Sequence, residues 1–127
     1  MAPNLSMSPR DLVYVGHMLD MARKAVGKTR GLSREAYDAD ENLRLALIHL
    51  IQVIGEAARQ VSREFSDKHP EIQWADIIGM RHKVVHDYLG VDDDIVWQVV
   101  TEDLPKLVSA LEPFVPPLPP ANNEPYR

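Results

Sequence analysis

Arg81, His82 and Lys83, with His86, form the densest concentration of Arg, Lys and His after residue 30. They lie in the segment Ile78-Gly79-Met80-Arg81-His82-Lys83-Val84-Val85-His86-Asp87-Tyr88-Leu89-Gly90. An arginine stays charged at any physiological pH and presents a fork matched to phosphate oxygens. A histidine titrates near neutral pH and can move a proton. Together they suffice for metal-free cleavage of RNA, because the 2′-hydroxyl nucleophile is already in the substrate. Arg81 and His86 are five residues apart, which on an ideal helix separates them by roughly 140°. One chain's pair converges on a single atom only if the helix ends near His86, as Gly90 and Asp87 permit. A second copy of the chain, facing its own segment across a two-fold axis, also solves the geometry.

Other chemistry fits the same residues. His82 and His86 are four apart and would share one helix face, a spacing that can chelate zinc. His49 or Glu56 could complete such a site, although nothing in the spacing selects them. The cluster also suits a plain solvated face. Tyr88 reads as an aromatic anchor with its hydroxyl at an edge, and Trp74 and Trp97 as core or interface residues. Elsewhere there is no glycine-rich phosphate loop, no HExxH and no serine in a nucleophile elbow, which removes most common enzyme classes. No cofactor is implied.

The elements that must position these groups are helical. Ser8-Pro9-Arg10-Asp11 is a helix opening, with Ser as N-cap, Pro at the first position and Asp in the first turn. Leu12, Val15, Leu19, Ala22 and Val26 follow at helical spacing, and Gly27 and Gly31 close the segment. Ser33 begins a short turn or helix, and Asp40 is a second N-cap. Leu43, Leu47, Leu50, Ile51, Ile54, Ala58 and Val61 predict one long helix reaching about Phe65. His69-Pro70-Glu71 is a break. Trp74 to Leu89 reads as a helix with an interruption at Gly79. Gly90-Val91 is a turn, and Asp92-Asp93-Asp94 suits a helix N-terminus. Ile95, Val99, Leu104, Val108 and Leu111 mark the last helix, which Pro105 should kink. Six of the ten prolines fall in residues 113–127, so that segment is expected to be an extended or disordered arm. The expected fold is all-α: an antiparallel bundle of four to five helices, with a flexible 1–7, a helical domain over 8–112 and a Pro-rich tail. Leu118 and the broad apolar coverage of the 41–65 helix suggest a homodimer.

Composition bounds the function. The chain has 127 residues, of which 45% are hydrophobic and 26% charged, enough for one domain with a core. It contains no cysteine, which excludes disulfides, thiolate catalysis and cysteine-ligated metal centres. No apolar run approaches the ~18 residues of a spanning helix, and the N-terminus lacks a secretory pattern, so a cytoplasmic location is expected. The formal net charge of −5 argues against polyanion binding over a wide surface. The charge is uneven: residues 1–30 carry five Lys/Arg against two Asp/Glu, and residues 91–127 carry two against seven. Any polyanion site must be local.

Arg81-His82-Lys83-Val84-Val85-His86-Asp87-Tyr88 resembles the Arg-polar-x-x-x-His-x-Tyr motif of the HepT-like proteins, a branch of the HEPN superfamily. The similarity takes in Ile54-Gly55-Glu56-Ala57, Pro70-Glu71-Ile72 with Trp74, and Ile78-Gly79-Met80. It continues through Leu89-Gly90-Val91-Asp92 and Ile95-Val96-Trp97 to Glu102-Asp103-Leu104-Pro105, and so covers about residues 8–112.

The resemblance implies a dimeric helical bundle whose two motifs meet in a cleft. It implies a metal-independent endoribonuclease, the toxin of a type VII-like toxin–antitoxin pair. The partner would be a minimal, MntA-like nucleotidyltransferase antitoxin that transfers AMP to the motif tyrosine, here Tyr88. Arg81 and His86 are then catalytic. His82 stands where relatives often carry Asn, and it and Lys83 would support the site. On this reading His86 accepts the 2′-hydroxyl proton, Arg81 stabilises the phosphorane, and His82 or a second copy's His86 protonates the leaving oxygen. The alternative is an inactive dimer that binds nucleotide or partner without cutting.

Overall fold

The caps written in the sequence open the helices. In the computed structural model, which describes residues 7–86 and 90–117, the side chain of His86 lies outside the description. Helix α1 spans Pro9–Thr29, with the Ser8 hydroxyl accepting from the Asp11 amide at 3.0 Å. Gly27 remains helical, and the chain turns instead at Gly31, whose φ of 77° favours a residue without a Cβ. Ser33 caps α2, Arg34–Ala39, and the Asp40 carboxylate caps α3, Glu41–Gln60, by accepting from the Leu43 amide at 2.9 Å.

Helices α1 and α3 run antiparallel, since the start of α1 meets the end of α3 through Arg10 and Gln60. Their apolar stripes form much of the core: Val15, Met18, Leu19 and Ala22 from one, and Leu47, Leu50, Ile51 and Ile54 from the other. This is the all-α bundle that the apolar periodicity predicts.

The expected helix to Phe65 is broken. Helix α3 stops at Gln60, Val61 is extended, and a separate helix, α4, runs over Arg63–Lys68. Asp11 is the cause. Its buried carboxylate accepts from the Ser62 amide at 2.8 Å and from the Ser62 hydroxyl at 2.6 Å. Ser62 in turn accepts from the Phe65 amide and starts the new helix. An apolar stripe does not reveal this break, because Phe65 is buried on either path.

The region from Trp74 onward is also more divided than a single helix. Helix α5 covers Trp74–Ile78 and α6 covers Met80–Val84. Val85–His86 (β1) then pairs antiparallel with Gly90–Val91 (β2), with Val85 opposite Val91 and His86 opposite Gly90. This two-residue ladder is the extended pairing among the described residues. Helix α7, Asp93–Gln98, starts at an Asp92 cap. It is tied to α2 by the Tyr37 hydroxyl donating to Asp93 at 2.7 Å and by an Arg34–Asp94 ion pair at 2.8 Å.

Pro105 is absorbed by a widened turn. Residues Val99–Asp103 form a π-helical turn in which the Leu104 amide reaches back to the Val99 carbonyl, and α8, Leu104–Leu111, follows. Proline has no amide hydrogen and its ring presses on the carbonyl four residues back, so a wider turn relieves it. The start of the proline-rich segment is not extended: Glu112–Phe114 is a 3₁₀ turn. The Phe114 ring packs edge-on against Phe65 and His69, so apolar packing continues past residue 112. Leu118 and the rest of the tail lie outside the described residues, as do residues 1–6.

No described helix is long and apolar enough to cross a membrane.

Asp11→Ala removes the acceptor of two buried hydrogen bonds and strands the Ser62 donors. A loss of about 3 kcal/mol is expected in urea denaturation, with Asp11→Asn costing about 1 kcal/mol because an amide can still bond both groups. Equal stability of the alanine variant and the parent would refute the junction.

Candidate active site

Helix α6 is short, and its register decides what it exposes. Met80 and Val84, one turn apart, are buried and anchor it to the core. The three residues between them, Arg81, His82 and Lys83, are exposed. The anchors and the polar residues thus share five positions, the apolar pair facing in and the polar trio exposed.

Gly55 on α3 determines where α6 begins. A Cβ at Gly55 would stand 3.3 Å from the carbonyl oxygens of both Ile77 and Ile78. The end of α5 therefore lies directly on the backbone of α3. Gly79 then turns the chain, with its own amide donating to Ala75 at 3.0 Å, and α6 starts. Between α3 and α6 opens a groove of about 440 Å³, lined by Gln52, Gly55, Glu56 and Arg59 of α3 with Ile78, Arg81 and His82. That volume suits a nucleotide-sized group. Among the described residues, Glu56, Arg59 and Arg81 make no ion pair with one another or with others.

The structure brings Arg81 and His82 together and leaves Lys83 elsewhere. Two residues past Arg81 on a helix, Lys83 is about 200° round the axis. It lines a second cleft of about 420 Å³, whose floor includes Ile77, Met80, Leu104 and Leu107.

Helix α6 ends at Val84, and Val85 is extended with φ −119° and ψ 112°. His86 is therefore not on the Arg81 helix, and the ideal-helix separation of the two does not apply. For the same reason His82 and His86 do not share a helix face, which removes the four-apart spacing on which the zinc reading stood. His49 is exposed on α3 outside the groove, and no group of three metal-ligating side chains occurs among the described residues. The β1–β2 ladder and an Asp92 amide donating to the Val84 carbonyl at 2.8 Å bracket residues 87–89. Gly90 supplies the positive φ of 83° that this return needs. Tyr88 lies outside the described residues, as does the His86 side chain.

The sequence offers Glu56 as a possible metal ligand and as part of the family-like Ile54–Ala57 stretch, and gives no role to Gln52 or Arg59. Their spacing of four and three residues puts them on one polar face of α3. That face is a sequence signal, but nothing in it says that α6 lies alongside.

The fold and groove define a helical bundle presenting a short cationic helix beside a polar helix face. The chain belongs to the HepT-like ribonuclease family: residues 18–114 match the family model described as "Ribonuclease HepT-like". It is 37% identical over 84 residues to "Probable ribonuclease HepT" of Thermococcus cleftensis, covering 66% of this chain and 76% of that one. It is 30% identical over 107 residues to "Putative RNase MJ1380" of Methanocaldococcus jannaschii, covering 84% of this chain and 98% of that one. A third relative, "Putative RNase TTE0752" of Caldanaerobacter subterraneus, is 33% identical over 94 residues, 74% of this chain and 84% of its own. No solved structure matches the chain.

Valine at position 55 should push its branched methyls into the Ile77 and Ile78 carbonyls. Gly55→Val is expected to cost about 1–3 kcal/mol in thermal or urea unfolding. Gly55→Ala should be close to neutral, since a helix-propensity gain of about 1 kcal/mol offsets the tight contact. A valine variant as stable as the parent would show that α5 and α3 do not meet closely there.

Proposed function

We propose that this chain is a metal-independent endoribonuclease, the toxin of a type VII-like toxin–antitoxin pair. The observation that carries the reading is the unpaired, exposed Arg81 beside His82, opening into the α3–α6 groove just before the chain turns out to His86. Membership of a ribonuclease family supports RNA as the substrate.

The mechanism follows from the chemistry of those groups. The His86 imidazole takes the 2′-hydroxyl proton, and the 2′-oxygen attacks the adjacent phosphorus. The Arg81 guanidinium stabilises the charge that builds on the phosphorane oxygens. The bond to the 5′-oxygen breaks, and that oxygen takes a proton from His82 or from the His86 of a second copy. The products are a 2′,3′-cyclic phosphate and a 5′-hydroxyl. A homodimer would bring two motifs to one cleft and supply that second imidazole. Lys83, on the opposite side of α6, adds positive potential rather than contact.

Neutralisation is by modification. A minimal nucleotidyltransferase antitoxin transfers AMP from ATP to the Tyr88 hydroxyl: the phenol oxygen, losing its proton, bonds to the α-phosphorus as the bond to pyrophosphate breaks. The added bulk and negative charge beside the cleft repel RNA phosphates with no refolding.

Purified protein is expected to cleave RNA in EDTA. His86→Ala should lower kcat by about 10²–10⁴ and Arg81→Ala by about 10²–10³, with melting unchanged for the exposed arginine. Cleavage that survives in His86→Ala removes this mechanism. No cleavage by the unmodified protein, with nucleotide or partner binding intact, points to the binding module instead.

Mass spectrometry after co-expression with the nucleotidyltransferase should find AMP on Tyr88. Tyr88→Phe should stay active and escape neutralisation. Full neutralisation of the phenylalanine variant would mean inhibition by binding.

A further inference from the structure

The molecule carries more acid than base, yet four arginines at one corner have no carboxylate partner. Arg23 is paired to Glu112 and Arg34 to Asp38 and Asp94. Arg10, Arg59, Arg63 and Arg81 form no ion pair among the described residues, and all four are exposed.

The stretches that carry these four meet at the end of α3 and the starts of α1 and α4. Arg59 and Arg81 line the same groove. Gln60, the next residue of α3, accepts from the Arg10 guanidinium at 2.8 Å. Arg10 and Arg63 flank the two halves of the buried Asp11–Ser62 contact, which joins the start of α1 to the start of α4. The Arg10 guanidinium also lies over the Tyr14 ring, 5.5 Å from its centroid. With one nitrogen on Gln60 and its charge near the Tyr14 ring, Arg10 is held in place and still has donors to spare.

We propose that Arg59, Arg63 and Arg10 form a track for the phosphates of the single RNA strand that leaves the Arg81 groove. This rests on the ribonuclease reading and adds where the strand runs. The charge complements a polyanion, and the track begins in the candidate active-site groove. A separate basic patch would favour an acidic protein partner; a patch continuous with the groove favours the substrate. Among the described residues Glu56 is the one carboxylate lining the groove, and it sits between Gln52 and Arg59 on α3, before the track begins. Arg63 and Arg10 contact phosphates beyond the scissile one, so they set affinity and leave the chemical step alone, while Arg59 joins them to the groove.

The test measures binding of the full chain to a 2′-O-methyl single-stranded oligonucleotide, which cannot be cut, across a range of salt. It adds kcat and KM on the matching RNA. Arg59→Gln, Arg63→Gln and Arg10→Gln should each weaken binding about fourfold at 0.15 M salt. Each should also flatten the log–log salt slope by about 0.7. KM should rise in Arg63→Gln and Arg10→Gln with kcat and the product ends unchanged. Arg59→Lys should restore the slope, since a single charge suffices for a phosphate. Arg30→Gln, roughly 30 Å from Arg10 along α1, should leave the slope unaltered.

Slopes equal to the parent's in all three glutamine variants would overturn the track while leaving the ribonuclease reading intact. Normal RNA binding with lost binding to the nucleotidyltransferase would overturn it too, by assigning the corner to a protein surface. If the unsubstituted chain neither binds nor cuts RNA, both readings fall together.

Discussion

The close approach of α5 to α3 at Gly55 is the constraint on which the site depends. Backbone carbonyls lie 3.3 Å from where a Cβ would stand, so the two helices meet with no room for a larger side chain between them. That contact sets the end of α5, from which Gly79 leads into α6. Met80 and Val84 then lock its rotation by burial, and Arg81 and His82 face the polar side of α3. A slip of one residue would turn α6 by about 100° and carry Arg81 away from Glu56 and Arg59. The groove is thus a consequence of core packing at the far side of the same short helix.

An acidic chain can still offer a cationic corner because several of its acids are engaged elsewhere. Asp40 and Asp92 cap helices. Asp11 holds the α3–α4 junction. Asp93 accepts from Tyr37, whose phenol is pushed well above its ordinary value, first by burial and then by that carboxylate. Asp38 and Asp94 bind Arg34, and raise it further above the usual guanidinium range. Glu112 binds Arg23. These carboxylates serve as caps and as ties between α2, α7 and the ends of other helices. The arginines around the end of α3 are left with solvent, and with whatever polyanion reaches them.

Much of the fold was legible because caps and apolar stripes are local signals. Ser8, Ser33, Asp40 and Asp92 each cap the helix their type implies. The breaks were less legible. Val61 continues an apolar stripe without interruption, and only a carboxylate fifty-one positions earlier ends the helix there. The end of α6 at Val84 was likewise hidden, since Val85 and His86 extend the pattern while backbone pairing with Gly90 and Val91 takes them out of it. Pro105 announced a disturbance but not its form, a π turn rather than a simple kink. The 3₁₀ turn at Glu112–Phe114 escaped a reading dominated by proline, because Phe114 finds Phe65 and His69 only in three dimensions.

The sequence alone determined the helical class, the caps and the motif residues Arg81, His82 and His86, since these depend on residue type and short spacing. It also carried the family resemblance. Only tertiary structure decided that Arg81 and His82 share a groove with Gln52, Glu56 and Arg59 while Lys83 does not. The physical reason is that a helix's polar face is written in its own residues, but which other helix lies against it depends on packing between segments far apart in the chain.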